Sequence, residues 1–188
     1  MPRLPRSEPL AVRRAPGYQG AMDETDTRYG TVGPEDGGLT RLEFRRTWPD
    51  DGDDVWAALT DPARTERWIG RYEGERAPGA TGTFAMTFEG DGPPGRMTIV
   101  ECAEPHRLVV HLPDFDWRLE IDLVAQRGGT TLIFVQRVAD PTAVPDVAAG
   151  WHWYLDRLDA ELTGSEPPAD WDAFLAEVGQ RYGARPPA

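Results

Sequence analysis

Hydrophobic and polar positions first fall into a regular rhythm at Thr40. Leu42, Phe44 and Trp48 mark a first strand, which Trp48-Pro49-Asp50-Asp51-Gly52 breaks with turn-forming residues. Asp53 or Asp54 is then placed to cap a short helix over Val55-Trp56-Ala57-Ala58-Leu59-Thr60. The Asp61-Pro62 step starts a second helix that ends near Trp68-Ile69-Gly70. From Arg71 to Val138 the period becomes two. Six strands are predicted near 71–76, 82–89, 95–102, 106–113, 115–126 and 129–138, joined by connections short enough to require antiparallel neighbours. The fifth is the clearest: Phe115, Trp117, Leu119, Ile121 and Leu123 alternate with Asp116, Arg118, Glu120 and Asp122, so one face is buried and the other meets water. After Asp140-Pro141-Thr142 the period turns helical, and Val144, Val147, Trp151, Leu155, Leu158 and Leu162 form one stripe at spacings of three and four. Gly164 stops this helix, and Asp170 caps a shorter segment carrying Trp171, Phe174, Leu175, Val178 and Tyr182 on one side.

These elements predict an α+β, helix-grip architecture: a curved seven-stranded antiparallel sheet around a long C-terminal helix, with two short helices after the first strand. The long helix has the only stripe able to cover the apolar face of the sheet. A helix held by a bent sheet meets it along its axis and diverges at the edges, leaving space for large side chains or a ligand. Residues 1–38 mix Pro, Gly, Arg and acids without a period and read as a disordered leader. Residues 39–164 read as the domain, and 165–188 as a C-terminal amphipathic segment and tail. Met22, followed by Asp-Glu-Thr-Asp, is an alternative start to Met1.

Composition narrows the function. The 188 residues, 39% of them hydrophobic, suit one packed domain with loose flanks. A net charge of -12 disfavours nucleic acid and anionic membrane surfaces as partners. All basic residues are Arg, which excludes Schiff-base chemistry and the P-loop lysine. The only serines, Ser7 and Ser165, lie outside the patterned region, leaving no nucleophile for a serine hydrolase. The single cysteine, Cys102, forms no internal disulfide. No apolar run approaches the roughly 20 residues of a membrane span, and no signal-peptide core follows the N-terminal arginines, so a cytoplasmic location is expected.

The run Trp48 to Pro62 with Trp68-Ile69-Gly70 resembles the opening of the helix-grip START-like (SRPBCC) superfamily of lipid-transfer domains, pathogenesis-related proteins and polyketide cyclases. Ala149-Gly150-Trp151-His152, followed by Leu155 and Leu158, is similar to the start of the last helix in the C-terminal domain family of the Hsp90 ATPase activator, and the Trp171 to Tyr182 segment also fits. The resemblance runs from about Thr40 to Tyr182. It implies the fold and a ligand cavity, and carries over no catalytic residue. The co-chaperone it resembles has a further domain that engages Hsp90, which residues 1–38 do not match, so Hsp90 is not the expected partner.

Candidate ligand contacts are Trp68, Phe84, Met86, Phe88, Met97, Trp117, Leu119, Phe134, Trp151 and Leu155, with Glu101 and Gln136 as polar groups on the same parity. Aromatics and methionines with one or two polar groups suit a planar or lipid-like ligand; the same residues also suit a filled core. His152 and Tyr154 stand beside Trp151, where a polar group meets a ligand, unless His152 faces solvent beside Asp156. His106 and His111 point to opposite faces of one strand, Cys102 reads as a small packed residue, and the Asp50, Asp51, Asp53, Asp54 cluster reads as helix capping. Asp116, Glu120 and Asp122 read as a solvated face. No metal ligand, cofactor or catalytic residue is assigned. The expected function is binding of a small hydrophobic or aromatic molecule between sheet and long helix. One alternative is a cyclase- or aromatase-like enzyme using Glu101, His152 or Gln136 for proton transfer. The other is a chaperone-regulating or protein-interaction module, marked by an exposed apolar patch near Trp171 and Tyr182.

Overall fold

The computed structural model describes residues 28–90 and 92–184. A single eight-stranded sheet is antiparallel throughout, in the order β1-β2-β8-β7-β6-β5-β4-β3. Its strands are β1 (Thr31–Pro34), β2 (Thr40–Trp48), β3 (Gly70–Glu73), β4 (Thr81–Met86), β5 (Gly95–Ala103), β6 (Arg107–Leu112), β7 (Trp117–Gln126) and β8 (Gly129–Val138). Helices α1 (Gly52–Thr60) and α2 (Pro62–Trp68) fill the β2–β3 crossover, and α3 (Val144–Thr163) follows β8. Only β2 pairs out of sequence order, on β8, which brings the two ends of the domain together. This is the α+β helix-grip arrangement the pattern predicts, with one strand more.

That extra strand, β1, lies within the stretch read as a leader; residues 1–27 of that stretch, and the alternative start at Met22, lie outside the described residues. Thr-Val-Gly-Pro shows no alternation because β1 is an edge strand held by tertiary contacts rather than by a buried face of its own. Ahead of it, the Gly30 amide donates to the Tyr182 hydroxyl at 2.8 Å and an Arg46 guanidinium nitrogen donates to the Arg28 carbonyl. Gly30 is required here: a Cβ would sit 2.6 Å from the Phe44 ring.

Local chemistry places the helices. The α1 cap is Asp51, whose carboxylate accepts from the Asp54 amide at 2.9 Å, rather than Asp53 or Asp54, which fall in the first turn and favour the positive end of the helix dipole. Asp61 caps α2 ahead of Pro62, and Gly164 closes α3 at φ 70°. Asp170 caps α4 (Trp171–Phe174), which continues through a π-helical turn (Leu175–Gly179) into α5 (Gln180–Tyr182). This closing segment packs on the back of α3: Trp153 meets Trp171 and Phe174 edge to face, and His152 meets Phe174 and Tyr182. So α3 is buried on both sides, which the single apolar stripe understates.

The outer face of the sheet carries charge. Arg107 reaches Glu101, Glu120 and Asp122, while Arg118 and Arg137 share Glu120. Both Glu120 and Asp122 therefore sit on the polar face read from the β7 alternation.

Candidate functional site

The inner face of the sheet, α1–α2 and α3 enclose a cavity of about 760 Å³, within the roughly 300–1,000 Å³ of small-molecule sites. The sheet contributes Phe84 and Met86 from β4, Met97, Ile99 and Cys102 from β5, Leu108, Val110 and Leu112 from β6, Trp117, Leu119 and Ile121 from β7, and Leu132 and Phe134 from β8. Trp151 and Leu155 of α3 close one side, and Trp56, Leu59, Thr65, Trp68 and Ile69 close another. Trp68 is fixed by its indole N–H, which donates to the Ala58 carbonyl at 2.9 Å. Phe134 packs against Trp151 with centroids 4.4 Å apart.

Of the residues named from sequence, Trp68, Phe84, Met86, Met97, Trp117, Leu119, Phe134, Trp151 and Leu155 line this cavity. Three do not. Phe88 lies beyond the end of β4, where the alternation that would turn it inward has stopped; its ring instead lies 3.5 Å under the Arg157 guanidinium. Glu101 is displaced by a β-bulge between Ile99 and Glu101, which reverses the parity of β5, sends Glu101 to Arg107 outside and brings Cys102 inside. Gln136 has the right parity but is fully buried: its Oε1 accepts from the Trp151 indole at 2.6 Å and its Nε2 has no partner among the described residues.

His152 is neither a cavity residue nor a solvent-facing one. It is 1% exposed, within hydrogen-bonding distance of the Tyr182 hydroxyl at 3.0 Å and 3.4 Å from an Asp156 oxygen, with Tyr29 edge-on at 4.8 Å. Thus Glu101, His152 and Gln136, the groups named for proton transfer, all lie off the cavity wall. The lining residues missed from sequence include those of α1 and α2, the β4–β5 connection around residues 92–94, and β6, where an inward apolar residue reads simply as core. Cys102 was recoverable only by foreseeing the bulge.

Polar groups are a minority of the lining. Burial and then Glu104 push the Cys102 thiol up, with Arg76 opposing, so the sulfur is held as a neutral thiol. Burial and then Glu75 raise the Tyr72 phenol, which donates to the Glu75 carbonyl. At the mouth, Tyr154 donates to Glu89 at 2.9 Å, and Arg96 pairs with Asp114 at 2.7 Å beside Phe115, which is 63% exposed and 5.3 Å from Trp117. Among the described residues no group of three or more His, Cys, Asp or Glu is placed to hold a metal ion, and no helix is long and apolar enough to cross a membrane.

Residues 52–163, more than half of the chain, match the family described as activator of Hsp90 ATPase homolog 1-like protein. The chain belongs to that family. Solved structures share its fold. CalU16 from Micromonospora echinospora is 25% identical, with a TM-score of 0.66 over 82% of this chain and 94% of that one. The protein encoded by gene BPP1335 of Bordetella parapertussis is 27% identical, with a TM-score of 0.63 over 83% and 90%. DynU16, from the dynemicin biosynthetic locus, shares the fold at 23% identity and a TM-score of 0.58, over 66% of this chain and 48% of that one. No curated protein matches. The activator-homologue domain is thus a START-like, ligand-binding type of fold.

Proposed function

We propose that this activator-homologue domain binds a small hydrophobic or aromatic molecule in the cavity between the sheet and α3, as a cytoplasmic binding protein. The observation that carries the reading is the cavity itself: about 760 Å³ walled mainly by aromatic, aliphatic and sulfur side chains. Protein interiors are otherwise packed with few voids larger than a water molecule. A space of this size with a water-poor lining favours an apolar occupant. The protein-interaction alternative is less well supported, because Tyr182 turns inward to His152 and Gly30, although Trp171, stacked on Phe174, is 37% exposed.

The test is to pass the purified chain through host extract and size exclusion, then compare native with denaturing mass spectrometry. An apolar compound released on unfolding is expected. Val110→Phe, which adds volume to the wall of the cavity, should abolish its retention while leaving the circular dichroism spectrum intact. Retention that is unchanged in Val110→Phe, or extracts that repeatedly yield no compound, would overturn the reading.

A further inference from the structure

Five charged side chains line the cavity: Arg76, Glu89, Arg96, Glu104 and Asp114. Three are already committed, Arg96 to Asp114 and Glu89 to the Tyr154 hydroxyl. The other two, Arg76 and Glu104, stand near Cys102, where both charges act on the thiol, and neither has an ion-pair partner among the described residues. These two absences do not weigh equally. The chain has 32 acidic residues against 20 arginines, so a carboxylate without a partner is ordinary. Arg127, Arg157 and Arg181 also have no carboxylate partner among the described residues, but Arg76 alone of these lines the cavity. Arg107 alone gathers three carboxylates, and Arg46 and Arg64 gather two each.

The charged side chains stand toward the two ends of the cavity. Arg96 and Cys102 both line it from β5, six positions apart, which at about 3.3 Å per residue is roughly 20 Å. One end holds the Arg96–Asp114 pair and the exposed Phe115 ring. Met97, Ile99, Leu108 and Val110 make the apolar middle, and the other end holds Arg76 and Glu104, a cation and an anion with no ion pair between them, so that the Arg76 guanidinium is open to an oxyanion. We infer that the occupant is an amphiphilic anion, with its apolar body along β5 and a carboxylate, sulfonate or phosphate head received by Arg76. The planar fork of the guanidinium matches such oxyanions, and its weak hydration suits a site beside apolar walls. Glu104, which acts on the same thiol as Arg76, opposes the anion and tempers the selectivity. This inference rests on the binding function proposed above and specifies its ligand class.

Two fluorescent probes separate the claims. N-phenyl-1-naphthylamine and 8-anilinonaphthalene-1-sulfonate share one apolar body, and only the second carries an anionic group. Both are expected to bind competitively. The sulfonate should bind roughly fivefold more tightly, at the upper end for a half-exposed ion pair, and its advantage should fall as salt rises. Arg76→Gln should erase the advantage and leave the neutral probe unchanged, Arg76→Lys should keep most of it, and Glu104→Gln should increase it. Arg127→Gln, at an exposed arginine in the β7–β8 turn, should change nothing. If the neutral probe binds and Arg76→Gln leaves the ratio intact, the anion inference falls and the binding function stands. Failure of the neutral probe to bind removes both.

Discussion

Replacing Arg46 is expected to destabilise the domain by a charge effect that pH can switch off. The Arg46 side chain is 4% exposed on β2 and lies between two carboxylates of α3, Asp156 at 3.1 Å and Asp159 at 3.3 Å. Arg46→Met keeps most of the buried stem and removes the cation. Breaking a buried pair by deleting one partner costs about 3–5 kcal/mol, and because both carboxylates keep some contact with solvent the lower figure applies, ~3 kcal/mol. For a chain of this length that lowers Tm by roughly 6–12 °C. The sign of the pH dependence follows from the two aspartates. Burial pushes Asp156 up, but hydrogen bonding and charge from His152 and Arg46 outweigh it and hold the group below its ordinary value. Asp156 therefore adds stability that is present above the ordinary carboxylate range and lost as pH falls through its lowered folded value. Burial and then Asp156 hold Asp159 above its ordinary value despite Arg46. Removing the cation raises both, so the folded variant binds more protons than the folded parent. The deficit is therefore largest at neutral pH and shrinks as pH falls through the carboxylate range. Urea unfolding followed by tryptophan fluorescence at pH 7.5 and pH 5 measures this. Adding Asp159→Asn, which keeps an acceptor for the Trp48 indole now 2.9 Å from Asp159, should recover about 1–2 kcal/mol. A deficit identical at both pH values, with no recovery in the double variant, would show that Arg46 acts by packing and refute the argument.

Gln136→Leu orphans the Trp151 indole N–H and should cost about 1–3 kcal/mol by chemical denaturation. Gln136→Leu with Trp151→Phe removes both partners along with the unpaired Nε2, and should recover the hydrogen-bonding part of that loss, with only the smaller ring's packing deficit remaining. Cys102, raised by burial and then by Glu104, should react with a disulfide reagent at pH 7.5 several-fold more slowly than free cysteine. Occupancy of the cavity by N-phenyl-1-naphthylamine should slow it further, and Glu104→Gln should speed it.

Periodicity alone exposed the architecture, because one-sided burial leaves a period of two in β7 and β8 and a stripe of threes and fours in α3. Local chemistry marked the breaks equally well at Asp61-Pro62, Gly164 and Asp170. The inward parity of β4 and β7 likewise placed Phe84, Met86, Trp117 and Leu119 on the cavity side. What tertiary structure decided were the exceptions to parity and the partners across long separations. The bulge after Ile99 exchanged Glu101 for Cys102, a one-residue slip that pattern cannot show because it depends on how β5 fits β6. The end of β4 at Met86 handed Phe88 to Arg157, and β1 pairs on β2 behind a segment that Arg46 and Tyr182, far off in sequence, hold by hydrogen bonds. His152, ambiguous on a helical wheel, became a buried residue because the closing segment folds back over α3. A strand's period records which face is covered. What covers it, and how much room is left beneath, is set by the packing of distant elements against one another, and that packing created the cavity.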